Sequence, residues 1–273
     1  MTRFSVLLST LLAVPLALAP AAAVAGESAA PARAAGVQQL RAEVLGVYPH
    51  QTDAFTQGLL FHEGKFYEST GRYGQSVLRR VDVETGEVEM EVELDRQYFG
   101  EGLALVDDRL IQLTWHEGKA FVYDRETFSL LREFSYDGQG WGLTYDGNRL
   151  IMTDGSHNLQ FRDPQTFALR NVVPVYMQGR PVQRLNELEY AEGFVYANVF
   201  MQDHLVKIDP RSGTVMAVIE AGHLIPPEER EGMDVLNGVT WDPETGDFFL
   251  TGKLWPKMFR VQFVPVEEGP EEE

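Results

Sequence analysis

The sequence predicts an all-β fold: a five-bladed β-propeller of four-stranded antiparallel blades, its ring closed by an N-terminal strand. A five-fold internal repeat, two hairpins in most repeats and a last repeat one strand short carry that expectation. The repeats begin at Gln57-Gly58-Leu59, Glu101-Gly102-Leu103, Trp141-Gly142-Leu143, Asn186-Glu187-Leu188 and Asn237-Gly238-Val239. Their middle residues are 44, 40, 45 and 51 apart, a period typical of propellers and solenoids.

Each opening triplet leads through a turn into an apolar run. The turns are Glu63-Gly64, Asp107-Asp108, Asp146-Gly147, Glu192-Gly193 and Glu244-Thr245-Gly246. The runs include Leu110-Ile111-Gln112-Leu113 and Phe248-Phe249-Leu250-Thr251, so each repeat opens on a β-hairpin. A second hairpin follows in four repeats, around residues 81–86, 123–127, 162–166 and 208–213. The fifth repeat supplies only one further strand, residues 258–263, before the acidic C-terminus. Residues 42–48 precede the first repeat and read as a strand without a partner. They are expected to complete the last blade, which protects sheet edges.

The ends read as processing and tail segments. Residues 1–25 carry a charge at Arg3, an apolar stretch and the small-residue site Ala23-Val24-Ala25, the pattern of a signal peptide. A flexible linker is expected over 26–40, the propeller over 41–265 and an acidic tail over 266–273. An exported protein, periplasmic or secreted, follows, with no membrane association after cleavage. The formal net charge of −18 argues against nucleic acid as a partner. The chain has no cysteine and six scattered histidines, which gives no thiol nucleophile and no metal-ligand spacing. No cofactor is expected, and a monomer is.

Equivalent positions of a closed repeat converge on one axis. In a hairpin, the start of the first strand lies beside the end of the second. One mouth would therefore gather Gln57, Glu101, Trp141, Asn186 and Asn237 with Trp115, Phe200 and Lys253. Each has an ordinary structural alternative: core aromatics, a buried Glu101–Lys253 ion pair, carboxamides that satisfy strand ends. As a set they describe an aromatic-lined pocket with convergent polar groups.

Several ordered motifs resemble the plant-type glutaminyl-peptide cyclotransferases. They are Phe55-Thr56-Gln57-Gly58-Leu59, Tyr67-Glu68-Ser69-Thr70-Gly71 with Tyr73-Gly74-Gln75-Ser76, and Phe99-Gly100-Glu101-Gly102-Leu103. Gln112-Leu113-Thr114-Trp115, Gly140-Trp141-Gly142-Leu143-Thr144, Asn186-Glu187-Leu188-Glu189-Tyr190 and Thr251-Gly252-Lys253-Leu254-Trp255-Pro256 extend the resemblance over about residues 43–263. It implies a five-bladed propeller that cyclises an N-terminal glutamine of peptides or proteins to pyroglutamate, releasing ammonia without a metal. It implies Glu101, Lys253 and Asn186 as catalytic residues, with Glu101 as general acid and base. Phe55, Phe99, Trp115 and Trp141 become the aromatic wall, and Gln57 a polar contact. Phe200 stands where relatives carry Trp, so the indole N–H is lost there. The alternatives are a non-catalytic propeller that binds a peptide terminus or small ligand, and a lactonase-like hydrolase. The latter would want several carboxylates at the mouth.

Overall fold

The computed structural model describes residues 36–266, besides Met1. The expected signal peptide (1–25), most of the expected linker and residues 267–273 lie outside the described residues. β1 (Gln38–Pro49) precedes three four-stranded antiparallel sheets. The first holds β2 (Thr56–His62), β3 (Lys65–Thr70), β4 (Val77–Asp82) and β5 (Val88–Glu93). The second holds β6 (Gly100–Val106), β7 (Arg109–Thr114), β8 (Lys119–Asp124) and β9 (Leu130–Ser135). The third holds β10 (Leu143–Tyr145), β11 (Leu150–Met152), β12 (Asn158–Arg162) and β13 (Leu169–Pro174). A small hairpin, β14 (Tyr176–Met177) and β15 (Arg180–Pro181), follows. Then come β16 (Leu185–Ala191), β17 (Phe194–Val199), β18 (His204–Asp209), β19 (Thr214–Glu220), β20 (Leu236–Trp241), β21 (Phe248–Gly252) and β22 (Lys257–Pro265).

The last two repeats do not form separate sheets. β1 pairs antiparallel with β22, from Leu40 opposite Pro265 to Pro49 opposite Lys257. It also pairs parallel with β19, from Gln38 opposite Ala217 to Arg41 opposite Glu220. The resulting order is β16-β17-β18-β19-β1-β22-β21-β20, with β14 and β15 attached, so the sheet has ten strands. Residues 42–48 thus supply the strand that the fifth repeat lacks. The expected linker boundary after residue 40 moves, because β19 takes up the backbone of residues 38–41 and makes them strand.

The first strands β2, β6, β10, β16 and β20 pack against one another in a closed cycle, β20 returning to β2. They are mostly buried, whereas outer strands β5, β9 and β13 are mostly exposed. The core lies between neighbouring sheets: Leu113 and Val122 of one meet Leu143 and Met152 of the next. A recurrent Asp turn closes the hairpins. Asp82, Asp124 and Asp163 each accept from the backbone N–H and the hydroxyl of the Thr three residues on. The next residue has positive φ: Gly86 (68°), but Phe128 (54°) and Phe167 (62°) in the other two. Both Phe rings are buried, so packing outweighs the local cost of that conformation.

A buried ion network ties β1 to the first sheet. Glu68 accepts from Arg79 Nε (2.9 Å) and Thr56 Oγ1 (2.6 Å), and lies 2.9 Å from His50 Nε2 at the end of β1. Burial by itself would raise the Glu68 pKa. The Arg79 guanidinium, then His50, outweigh it and hold the carboxyl well below the usual range.

Two outcomes follow. Glu68→Gln removes the buried counter-charge of Arg79 and leaves it only the exposed Asp53 carboxylate, 3.3 Å away, so it should cost about 3 kcal/mol in denaturant unfolding. The depressed pKa stabilises above the unfolded carboxylate pKa of about 4.3 and is lost as pH falls, so the difference from wild type should shrink in acid. Deleting residues 38–48 should expose the edges of β19 and β22 and sharply lower soluble yield. An equally soluble, equally stable product would contradict the closing role of β1.

Candidate active site

Four of the five inner strands lose register at their opening triplet. The shifts fall between Thr56 and Gly58, Gly100 and Leu103, Leu185 and Leu188, and Leu236 and Val239. Gln57, Glu101, Asn186 and Asn237 lie in these irregularities, free of the strict alternation that a regular ladder imposes. β10 begins only after Trp141-Gly142.

A cavity of about 380 Å³ opens at this end of the inner strands. It is lined by Phe55, Gln57, Arg72, Phe99, Glu101, Trp115, Trp141, Asn186, Phe200 and Lys253. Its polar groups are deep: Gln57, Glu101, Asn186 and Lys253 are at most 5% exposed. The aromatic residues are half-buried walls, and Arg72 is exposed at the rim.

The walls are built by mutual contacts. Phe99 meets Trp115 at 5.4 Å between ring centroids and Phe55 edge-on at 6.4 Å. Trp141 meets Phe200 edge-on at 5.6 Å. Gln139 Oε1 accepts from both indoles, Trp115 Nε1 at 2.9 Å and Trp141 Nε1 at 3.0 Å. Two glycines make room for the rings. A Cβ on Gly71 would lie 2.3 Å from the Phe99 ring, and one on Gly155 (φ 80°) 2.6 Å from that of Trp141. Four of the five second-strand ends therefore carry either a wall residue, Trp115 or Phe200, or the glycine against which a wall residue lies, and the fifth carries Lys253.

On the floor, Lys253 Nζ donates to Gln57 Oε1 and stands 4.7 Å from the centroid of the Phe55 ring. No hydrogen bond or ion pair joins Lys253 to Glu101 among the described residues, so the ion-pair alternative fails. Asn186 Oδ1 is buried without a donor. Asn237 is the one expected site residue that does not line the cavity. Its Nδ2 donates to the Thr56 carbonyl at 2.9 Å and ties β20 to β2, so it is a strand fastener.

The family of sequences described as glutamine cyclotransferase matches residues 15–263. The glutaminyl-peptide cyclotransferase of Arabidopsis thaliana is 41% identical over 225 residues, 81% of this chain and 70% of that protein. The crystal structure of Myxococcus xanthus glutaminyl cyclase superposes with a TM-score of 0.78 at 40% identity, over 85% of this chain and all of the other. The chain belongs to the glutamine cyclotransferase family.

Within this cyclotransferase family member, burial sets the electrostatics of the floor. Desolvation pushes the Glu101 carboxyl well above its usual range; Lys253 opposes the shift and Glu117 adds to it. Desolvation also lowers the Lys253 ammonium to about 8, against the pull of Glu101, Asp234 and Glu187. Arg72, Gln139 and Glu187 escape the sequence reading. Arg72 falls in the one-residue gap between the motifs that end at Gly71 and begin at Tyr73, outside the repeat position. Gln139 lies in the linker before β10, where only its contact with two indoles reveals it. Glu187 stands where four repeats have Gly, which was the available signal.

Proposed function

We propose that this cavity is the active site of a glutaminyl-peptide cyclotransferase that converts the N-terminal glutamine of peptides or proteins to pyroglutamate. The observation that carries the reading is a buried carboxylic acid and a buried amine, Glu101 and Lys253, on the floor of an aromatic cup, in a chain of this family. Glu101 is the one acidic residue lining the cup, which suits a proton carrier and gives a hydrolase-type metal too few ligands. No cluster of three His, Cys, Asp or Glu side chains among the described residues is placed to hold a metal.

In the proposed reaction the α-amine attacks the side-chain carbonyl carbon of the same glutamine. The walls fold the side chain back on its own amine, an orientation effect. Glu101 takes a proton from the attacking nitrogen and returns it to the departing amide nitrogen, which leaves as ammonia. A carboxyl with a raised pKa is suited to both transfers near neutral pH. Negative charge gathers on the carbonyl oxygen meanwhile. Lys253, a three-donor ammonium already aimed by Gln57, stabilises that oxygen, with the Asn186 amide beside it.

The closed cycle of inner strands supports the finer reading of the fold as a five-bladed propeller, with β1 in its last blade. The sequence pattern of residues 1–25 supports export to a periplasm or the exterior.

The purified protein should release ammonia and form pyroglutamate from a glutamine-initiated peptide, at a rate that chelator leaves unchanged. Absence of pyroglutamate would reject the reading, and zinc-dependent recovery after chelation would reject its metal-free form. Steady-state kinetics should divide the roles. Glu101→Gln should lower kcat about a hundredfold or more with little change in KM. Lys253→Ala should cost about 3 kcal/mol of transition-state stabilisation. The wild-type pH profile should be a bell. Its rising limb lies above the usual carboxylate range, as Glu101 ionises, and its falling limb lies near pH 8, as Lys253 loses its proton. Near-normal turnover in Glu101→Gln would remove the carboxyl from the mechanism.

A further inference from the structure

Arg72 is the cavity-lining residue that the proposed chemistry does not use. Its backbone is held in the left-handed region, with φ 86°, where a non-glycine residue is uncommon. The turn that holds it is firmly tied. Its carbonyl accepts from Gln75 N at 3.0 Å and from Ser76 Oγ at 2.8 Å. Ser76 Oγ in turn accepts from Gly100 N at 3.0 Å, next to Glu101, so the rim is fastened to the strand that carries the floor carboxyl. The guanidinium lies over the Phe55 ring, 4.5 Å from its centroid. It makes no side-chain hydrogen bond and no ion pair among the described residues. The neighbouring Tyr73 hydroxyl donates to Glu117 Oε1 at 2.8 Å, Glu117 Oε2 is buried without a donor, and this carboxylate forms no ion pair with Arg72.

A peptide whose first residue reaches Glu101 and Lys253 must leave the cup past its rim. Consecutive Cα atoms are about 3.8 Å apart, so the second residue emerges beside the upper wall. A guanidinium resting on an aromatic face keeps its edge donors available for a carboxylate, which it can grip with two bonds. Resting on the proposed cyclase reading, we propose that Arg72 is a specificity-determining residue that favours substrates with an acidic residue directly after the glutamine. The chain as a whole, at net charge −18, attracts cationic peptides. A preference for the acidic peptide must therefore have a local source.

The test compares kcat/KM for Gln-Glu-Ala, Gln-Ala-Ala and Gln-Lys-Ala peptides in wild type, Arg72→Gln and Arg72→Lys. Wild type should favour the Glu peptide over the Lys peptide by about threefold or more at low salt, mainly through KM. Arg72→Gln should abolish or reverse that ratio, and Arg72→Lys should keep part of it. About 0.5 M salt should flatten the ratio in wild type. Cyclisation of all three peptides with the same ratio in wild type and Arg72→Gln would overturn the assignment of Arg72 alone. Cyclisation of none of them would overturn the cyclase reading together with it.

Discussion

The site depends on the loss of register where the inner strands meet. A regular strand sends successive side chains to opposite faces. The irregularity at four of the five opening triplets relaxes that rule for a few residues, and three of them, Gln57, Glu101 and Asn186, reach the cavity. Something must then hold the loosened strands. Glu187 does this from the fourth repeat: its carboxylate accepts from Val239 N (2.8 Å) on β20 and from Leu59 N (3.3 Å) on β2. Three inner strands meet on one buried side chain. Burial drives its pKa well up, opposed by those two N–H groups. Asn198 Oδ1 adds a parallel tie to Gly238 N at 3.1 Å, and Asn237 binds β20 to β2. Fastening and cavity lining are thus neighbours in sequence, Asn186 beside Glu187 in β16.

Two buried carboxyls show how partners decide use. Glu68 and Glu101 are both almost inaccessible. Glu68 is surrounded by Arg79, His50 and Thr56, and its pKa is depressed. A carboxyl so satisfied is a fixed charge and a poor proton carrier. Glu101 has Lys253 as its one cationic influence, without contact, and desolvation wins. Burial moves the Glu101 acid and the Lys253 ammonium toward their neutral forms, against the attraction of each for the other's charge.

The repeat made the hairpins, the missing strand and the mouth legible in the sequence, because turn chemistry and strand period are local. Glu101, Lys253, Asn186, Gln57, Trp115, Trp141 and Phe200 were found by their repeat position, and Phe55 and Phe99 by resemblance. Asn237 misled because position in the repeat fixes where a side chain starts and not what it reaches; the Thr56 carbonyl was nearer than the cavity. Arg72 and Gln139 lie in connecting segments, where no periodicity speaks. The double pairing of β1 was hidden for another reason. A strand has two edges, and residues 42–48 announced only the edge that the fifth repeat needed. The second, toward β19, depends on how two sheets meet in space.

Phe200 illustrates how the wall constrains its own composition. Gln139 Oε1 takes both indole N–H groups, from Trp115 and Trp141. A carbonyl oxygen has two lone pairs, so that acceptor is full. A third indole at position 200 would need a different partner for its N–H, or would leave a half-buried donor unpaired at a cost of about 1–3 kcal/mol. Phe200 keeps the edge-on contact with Trp141 and brings no donor to satisfy. In this cup a phenyl ring at position 200 removes a polar demand and preserves the apolar surface of the cavity wall.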